Sequence, residues 1–235
     1  MKKKMNPGTL LMPLPAVMVS CGTPDAPNIL TVAWTGIVNS TPPMTYISVR
    51  KSRFSHDLIA ESGEFVINLT TEALAFATDY CGVKSGRDVD KFKEMKLTPL
   101  ACDTVACPMI AEAPVNLECR VLEVHEYPSH DMFVAEILAV HVEEELLDEK
   151  GRLQMEKAGL ITYIHGQYFG VKKQAVGRFG YAVMKPKTKK KISRQEHQKR
   201  VQQNREKRAD RAKRTEPGFR QNEKGPKSRR KEKRK

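Results

Sequence analysis

Apolar and polar residues alternate along several short stretches of this chain, and each stretch predicts an element. "PAVMVSCG" and "NILTVAW" read as two strands around the turn "TPDAPN". "MTYISV", residues 44–49, is a third strand introduced by Pro42 and Pro43, and "EFVINL" is a fourth. "SHDLIAESG" reads as a short helix between them. Ser55 is its expected N-cap, Gly63 its stop, and Phe54 with Ile59 a hydrophobic staple. "TTEALAFATDY" predicts a second helix, capped by Thr70 or Thr71, with Leu74, Ala75 and Thr78 on one face. "VKSGRDVDKFKEM" predicts a polar loop running into a third short helix.

Two long runs follow, "PVNLECRVLEVHEY" and "DMFVAEILAVHVEEELL", separated by "PSH". The alternation of Val115, Leu117, Cys119 and Val121 with Phe133, Ala135, Ile137 and Ala139 predicts a long hairpin. Residues 159–183, rich in glycine and aromatics, return to the body as loop plus strand. Several antiparallel strands with short helices between them predict a mainly β protein, a small barrel with helical decorations. There is no regular βαβ alternation, no GxGxxG and no GxxxxGK[ST], so a doubly wound nucleotide fold is not expected.

Charge divides the chain. Residues 185–235 hold 23 Lys and Arg against 6 Asp and Glu, a local net charge of +17. The first 184 residues hold 18 basic and 22 acidic residues, net −4. The tail has too few apolar residues to offset its ordering entropy, so it is expected to be disordered or a loose, solvated helix. The expected organisation is therefore a folded body over 1–184 and a low-complexity Lys/Arg-rich tail over 185–235.

The five cysteines at 21, 81, 102, 107 and 119 form no CxxC pair and fit reduced thiols in a cytoplasm. Cys102 and Cys107 read as core or loop residues, and the histidines at 56, 125, 130, 141 and 165 show no metal spacing. No metal site is expected. His125 and His130 flank a predicted turn and are expected to face solvent. The start of the chain is basic and then apolar, like a lipoprotein leader. Asn6-Pro7-Gly8, Pro13 and Pro15 interrupt it, so export is not expected. No run reaches the ~18 apolar residues of a membrane span.

Candidate chemistry sits at "RKSRFS", Arg50 to Ser55, where a strand ends and a helix starts. Arg50 and Arg53 can fork onto a phosphate, Lys51 is a point charge, and Ser52 and Ser55 are neutral donors. The helix start adds free N–H groups. One cation ~4 Å from a phosphate charge gains about 4 kcal/mol gross at intermediate dielectric, much less at a wet surface. Asp57 works against the site. The plain alternative is a basic solvated turn. In "NILTVAWTGIVNSTPP", Trp34 offers an aromatic face, Gly36 allows close backbone approach, and the backbone there can meet a heterocycle's polar edge. The alternative is a core Trp beside an ordinary loop.

The ordered motifs "NILTVAW…VNSTPPMTYISVRKSRFSHDLIAESGEFVINL…DYCGVKSGRDVDKF…APVNLECRV" resemble the flavin reductase-like FMN-binding split-barrel family, flavoredoxin-like, over about Leu14 to Met184. The resemblance implies a six-stranded antiparallel Greek-key split barrel, a homodimer, and FMN near the dimer interface. It implies that Thr35, Gly36, Ile37 and Val38 supply main-chain contacts to the isoalloxazine, with Trp34 beside it. Asn39 and Ser40 would lie along the ribityl chain or ring edge. Arg50, Lys51, Ser52, Arg53 and Ser55 would hold the phosphate. Asn68 and the loop with Lys84, Asp90 and Lys91 would be pocket wall and cover. The basic tail departs from the family pattern.

A cofactor of this kind does the hard chemistry itself, so no catalytic side chain is named. The expected function is an FMN-dependent oxidoreductase passing electrons from NAD(P)H through FMN to a flavin, small-molecule or protein acceptor. The rival is a flavin-fold binding protein without reductase turnover, whose basic tail binds nucleic acid or another polyanion.

Overall fold

In the computed structural model the predicted strands assemble as one curled antiparallel sheet. The structure describes residues 1–172, 174–188, 190, 192–194, 198, 201, 202, 204, 205 and 208. In chain order the first half holds β1 (Leu14–Pro15), β2 (Val17–Gly22), β3 (Pro27–Val32), β4 (Thr35–Ser40), β5 (Pro43–Val49), α1 (Phe54–Ser62) and β6 (Glu64–Leu69). Then come α2 (Ala75–Val83), α3 (Lys91–Glu94), β7 (Pro99–Leu100), β8 (Met109–Ile110), β9 (Val115–Glu126) and β10 (Asp131–Val142). A hairpin of β11 (Ile161–Ile164) and β12 (Gln167–Gly170) follows. The chain divides into two units, Met1–Gln174 and Ala175–Lys235, ahead of the compositional change at Lys185. The expected tail disorder falls largely outside the described residues, and those described between 186 and 208 are helical.

The main sheet runs β3-β2-β6-β9-β10-β5-β4, and a smaller one runs β1-β11-β12. Laid flat, β3 and β5 would stand roughly 24 Å apart, given a strand spacing of ~4.8 Å. Yet Leu30 and Val32 of β3 share one buried cluster with Ile47 and Val49 of β5. The sheet therefore curls until its two ends face a common core, as a barrel does. Val17, Val19 and Cys21 of β2, Phe65 and Ile67 of β6, and Phe133 and Ala135 of β10 point into that core at the period of two the sequence shows. Burial of each large side chain contributes about 1.5–3 kcal/mol.

The alternate residues of β2 and β3 are covered too. Met18 and Ile29 pack outward against Leu74, Ala77, Cys81, Phe92 and Ile110. This second core fixes α2 and α3 on the outside of the barrel.

The mainly β split barrel with short helices is what the chain forms. Its main sheet holds seven strands, because Thr35–Ser40, read from sequence as a loop, pairs with β5. Two helix starts also differ. The N-cap of α1 is Arg53, with no side-chain cap, because the buried Ser55 hydroxyl accepts from Asn28 Nδ2 at 2.6 Å instead. The Gly63 stop holds, with φ of 67°. Helix α2 starts at Ala75, with Leu74 at its N-cap: the Thr70 hydroxyl donates to Ala16 O, while Thr71 Oγ1 accepts from Leu74 N at 3.4 Å in the turn that leads into the helix. Thr70 O accepts from Ile161 N at 3.2 Å, and Thr71 bridges Leu160.

Glu118 is fully buried and ties the 103–105 loop to the barrel. Its carboxylate accepts from Asp103 N (2.9 Å), Thr104 N (2.6 Å), Thr104 Oγ1 (2.5 Å), Val105 N (3.1 Å) and His141 Nε2 (2.5 Å). Burial alone would raise its pKa. The bonds from Thr104, Asp103 and His141 outweigh burial and bring it to about 2. A carboxyl depressed in the folded state stabilises above its ordinary value of 4.5, and that stability is lost as pH falls toward 2. Urea titrations should therefore show Glu118→Gln less stable at pH 7 by roughly 2–3 kcal/mol, with the loss shrinking between pH 4.5 and 2.

Candidate functional site

Four cations, Arg50, Arg53, Lys84 and Lys91, gather where the end of β5, the start of α1 and the segment from the end of α2 to α3 meet. A cavity of about 430 Å³ is lined by Trp34, Arg50, Arg53, His130, Tyr163 and Tyr168, among others. An adjoining cavity of about 260 Å³ is lined by Ser52, Arg53, Ser55, Lys84, Gly86 and Lys91, among others. Both share Leu30, Thr31, Arg50, Arg53 and Gly82, so they form one cleft of a size usual for organic ligands.

The smaller end suits an anion. Among the described residues, neither Arg50 nor Arg53 has an ion-pair or hydrogen-bond partner for its guanidinium. Lys91 is buried, and its Nζ donates to Ile29 O at 2.6 Å and Cys81 O at 2.9 Å. An ammonium has three N–H donors, so one remains for a ligand. Burial lowers the Lys91 pKa, and the Arg53 charge adds to that. No side chain caps α1, which leaves its first N–H groups to a ligand. At Gly86 an added Cβ would lie 2.1 Å from Asn28 Oδ1 and 2.8 Å from the Phe54 ring, so only glycine lets the chain pass here.

The larger end is aromatic. Trp34 stacks on His130 with centroids 4.5 Å apart and a tilt of 34°. Burial and the Arg50 charge lower the His130 pKa, which favours the neutral ring. His130 is thus a wall of the cleft and does not simply face solvent, whereas His125 is exposed and pairs with Glu123 at 3.0 Å.

The other expected site residues go elsewhere. Lys51 Nζ lies 2.9 Å from Glu126 and 3.2 Å from Asp131, so its charge is drawn to the β9–β10 hairpin. Asn68 is fully buried. Its Nδ2 donates to Met18 O and Ser20 Oγ, both at 3.0 Å, while its Oδ1 accepts from Ile110 N and Asn116 Nδ2. That amide is committed to the fold and lines neither cavity. Asp90 caps α3 by accepting from Lys93 N at 3.1 Å. Asp57 is exposed and engaged with His56 and Arg87.

Along β4, Thr35 Oγ1 donates to Tyr46 O at 2.6 Å, and a Cβ on Gly36 would meet the Tyr46 ring at 3.2 Å. The small residue there makes room for a neighbouring side chain. Ile37, Val38, Asn39 and Ser40 are exposed on this edge strand, outside both cavities. Edge position leaves backbone groups on the strand's outer side free of ladder partners.

Thr31, Asp79, Gly82, His130, Tyr163 and Tyr168 were not singled out as site residues from sequence, yet they line the cleft. One signal was available. In "YIHGQY" two tyrosines flank a His-Gly turn at the spacing of a cross-strand pair.

Donor atoms of Asp103, Glu118 and His141 lie within 4.8 Å of one another. Both Glu118 oxygens are already filled by protein donors, so the group acts as a structural knot. All five cysteines are free, and burial pushes the Cys21 and Cys81 thiols up to about 11, away from the reactive thiolate.

A curled antiparallel barrel with an aromatic cleft that ends in unpaired cations defines a class of ligand-binding barrel. This chain belongs to the flavin reductase like domain family, whose sequence pattern matches residues 9–172. Flavoredoxin of Desulfovibrio vulgaris (Miyazaki F) superimposes with a TM-score of 0.72 at 31% identity, over 77% of this chain and 100% of that one. An FMN-binding protein from Thermus thermophilus gives a TM-score of 0.65 at 28% identity, over 76% of this chain and 100% of that one. A protein of Archaeoglobus fulgidus, described only as uncharacterized, is 35% identical over 130 residues, which cover 55% of this chain and 73% of that one.

The anion end can be checked without a cofactor. Inorganic phosphate should raise the thermal midpoint, since a ligand at 100 times its Kd stabilises by about 2.7 kcal/mol. The double variant Arg50→Ala/Arg53→Ala should lose that rise in differential scanning fluorimetry.

Proposed function

We propose that this protein is an oxidoreductase that holds FMN and passes electrons from NADH or NADPH to a flavin, a small molecule or a protein acceptor. The observation that carries the reading is the cleft itself, aromatic at one end and bearing unpaired guanidinium groups and a buried ammonium at the other. Likeness to flavoredoxin and to an FMN-binding protein supports it.

The residues present fit the group. Arg50 and Arg53 would fork onto the phosphate, Lys91 and the α1 start would add N–H donors, and Ser52 and Ser55 would add hydroxyls. Trp34 and His130 would border the ring. The free backbone groups of Thr35 to Val38 would meet its polar edge where a second subunit completes the site, with Asn39 and Ser40 along the ribityl side. Bound FMN would supply the redox chemistry. The chain's own work is to bind, orient and shield, so no side chain is assigned a nucleophilic or acid–base role.

The homodimer belongs to the same reading. Ile37 is 71% exposed and Val38 52%, and Leu122, Val124 and Val140 are also exposed. Such apolar surface suits a second copy of the chain. The free, unreactive thiols suit a cytoplasm. No helix among the described residues is long and apolar enough to cross a membrane.

A second reading rests on the charge of +17 over residues 185–235, which suits nucleic acid or another polyanion regardless of sequence. In it the barrel is a flavin-fold binding module without turnover.

The purified protein should be yellow or should bind added FMN, and stopped-flow mixing with NADH or NADPH should bleach the bound flavin. Arg53→Ala should weaken FMN binding by about 10–100-fold, as expected when a charged hydrogen-bond partner is lost. A colourless protein that takes up no FMN would defeat the reading. In the second reading NADH and NADPH leave the bound flavin unbleached, and removing residues 185–235 abolishes salt-sensitive RNA binding. If RNA binding is unchanged, the second reading fails.

A further inference from the structure

The larger cavity has a second aromatic wall, far along the chain from Trp34 and His130. β11 and β12 are joined by His165–Gly166, both with positive φ, 47° and 86°. Positive φ at both turn residues closes a two-residue hairpin with the right twist. A non-glycine residue in that region is uncommon and marks a backbone held by its surroundings. Here His165 N donates to Met12 Sδ at 3.1 Å, and Thr162 Oγ1 donates to Leu14 O at 2.6 Å.

Tyr163 and Tyr168 stand directly opposite each other in the hairpin register, so their rings share one face. They meet edge to face with centroids 5.6 Å apart, and both line the cavity together with Gly166. The Tyr168 hydroxyl reaches across to α2 and donates to Asp79 Oδ1 at 3.2 Å. Burial, then the Asp79 charge, pushes this phenol up to about 12, so it remains a donor at neutral pH. The base of the hairpin is bonded to the barrel through Ile161 N and Thr70 O at 3.2 Å. Its far end meets α2 through the Tyr168–Asp79 bond.

We propose that the β11–β12 hairpin is the specificity wall of the ring end, with Asp79 as the positioning residue that holds it in place through Tyr168. The wall selects flat heteroaromatic rings, which stack on tyrosine faces and edges. This rests on the flavin reading and deepens it. The cations of the smaller cavity hold the phosphate, and the hairpin governs the ring whatever its tail carries. The two ends therefore contribute separately, and two ligands sharing one ring can tell them apart.

The test compares FMN with riboflavin, which has the same ring and no phosphate. Dissociation constants and bound-flavin spectra are measured for the unaltered protein, Tyr168→Phe, Asp79→Ala and Asp79→Asn, with Arg53→Ala as reference. Tyr168→Phe and Asp79→Ala should weaken both flavins by the same factor, about three- to tenfold. They should also shift the visible band or emission of the bound flavin. Asp79→Asn keeps an acceptor oxygen and should stay near the unaltered protein, which separates positioning from a folding defect. Arg53→Ala should weaken FMN alone. Unchanged affinities and spectra in Tyr168→Phe and Asp79→Ala overturn the proposal, as does a loss confined to FMN. If the unaltered protein binds neither flavin, the flavin reading itself falls and takes this wall with it.

Discussion

Lys91 holds an ammonium inside the protein with no carboxylate bonded to it among the described residues, and much of the site follows from that. Its two bonds to the carbonyls of Ile29 and Cys81 join α3 to the edge strand β3 and to the body of α2. Carbonyl dipoles hold such a charge but leave it positive, so the pocket it floors retains a field for an anion. Arg50 and Arg53 face the same space from the β5–α1 turn. Packing of α2 and α3 through Met18, Ile29 and Phe92 keeps the ammonium from escaping to water.

The curl of the sheet supplies the other half. It brings β3 beside the end of β5, with Arg50 just beyond that, while Trp34 is held there by the β4–β5 ladder, where Ser48 N donates to Trp34 O at 2.9 Å. A flat sheet would hold β3 and β5 far apart. An apolar core drawn from both ends of the sheet is thus what makes a cleft with distinct aromatic and cationic ends, and the β11–β12 hairpin borders the aromatic one.

Polar residues of this barrel fall into two kinds. Asn68, Asn116 and Glu118 have their hydrogen-bonding capacity filled by backbone and neighbouring side chains, so they specify loop positions and offer nothing to a ligand. The exposed guanidinium groups of Arg50 and Arg53, and the third N–H of the buried Lys91, have capacity left over. Lys91 shows that the distinction lies in satisfaction, since it is buried like Asn68 and Glu118 yet keeps a donor free.

Several features were legible in the chain by itself. Alternation at a period of two marked β2, β6, β9 and β10, since a strand's faces are set by consecutive residues. Gly63 announced the end of α1, and the nearness of Arg50, Ser52 and Arg53 marked the basic turn that lines the cleft, because those groups are local. The resemblance drawn from ordered motifs supplied the barrel class. Tertiary structure alone decided which residues of distant segments share the cleft. Asn28 took Ser55 away from its expected cap, and Glu126 and Asp131 took Lys51 away from the Arg50–Ser55 turn. Asn68 was absorbed into the fold, while His130, Asp79 and the Tyr163–Tyr168 pair were brought to the site. Local pattern fixes which way a side chain points along its own element, but its partner is chosen by how the sheet curls and which distant groups then compete for the same hydrogen bond.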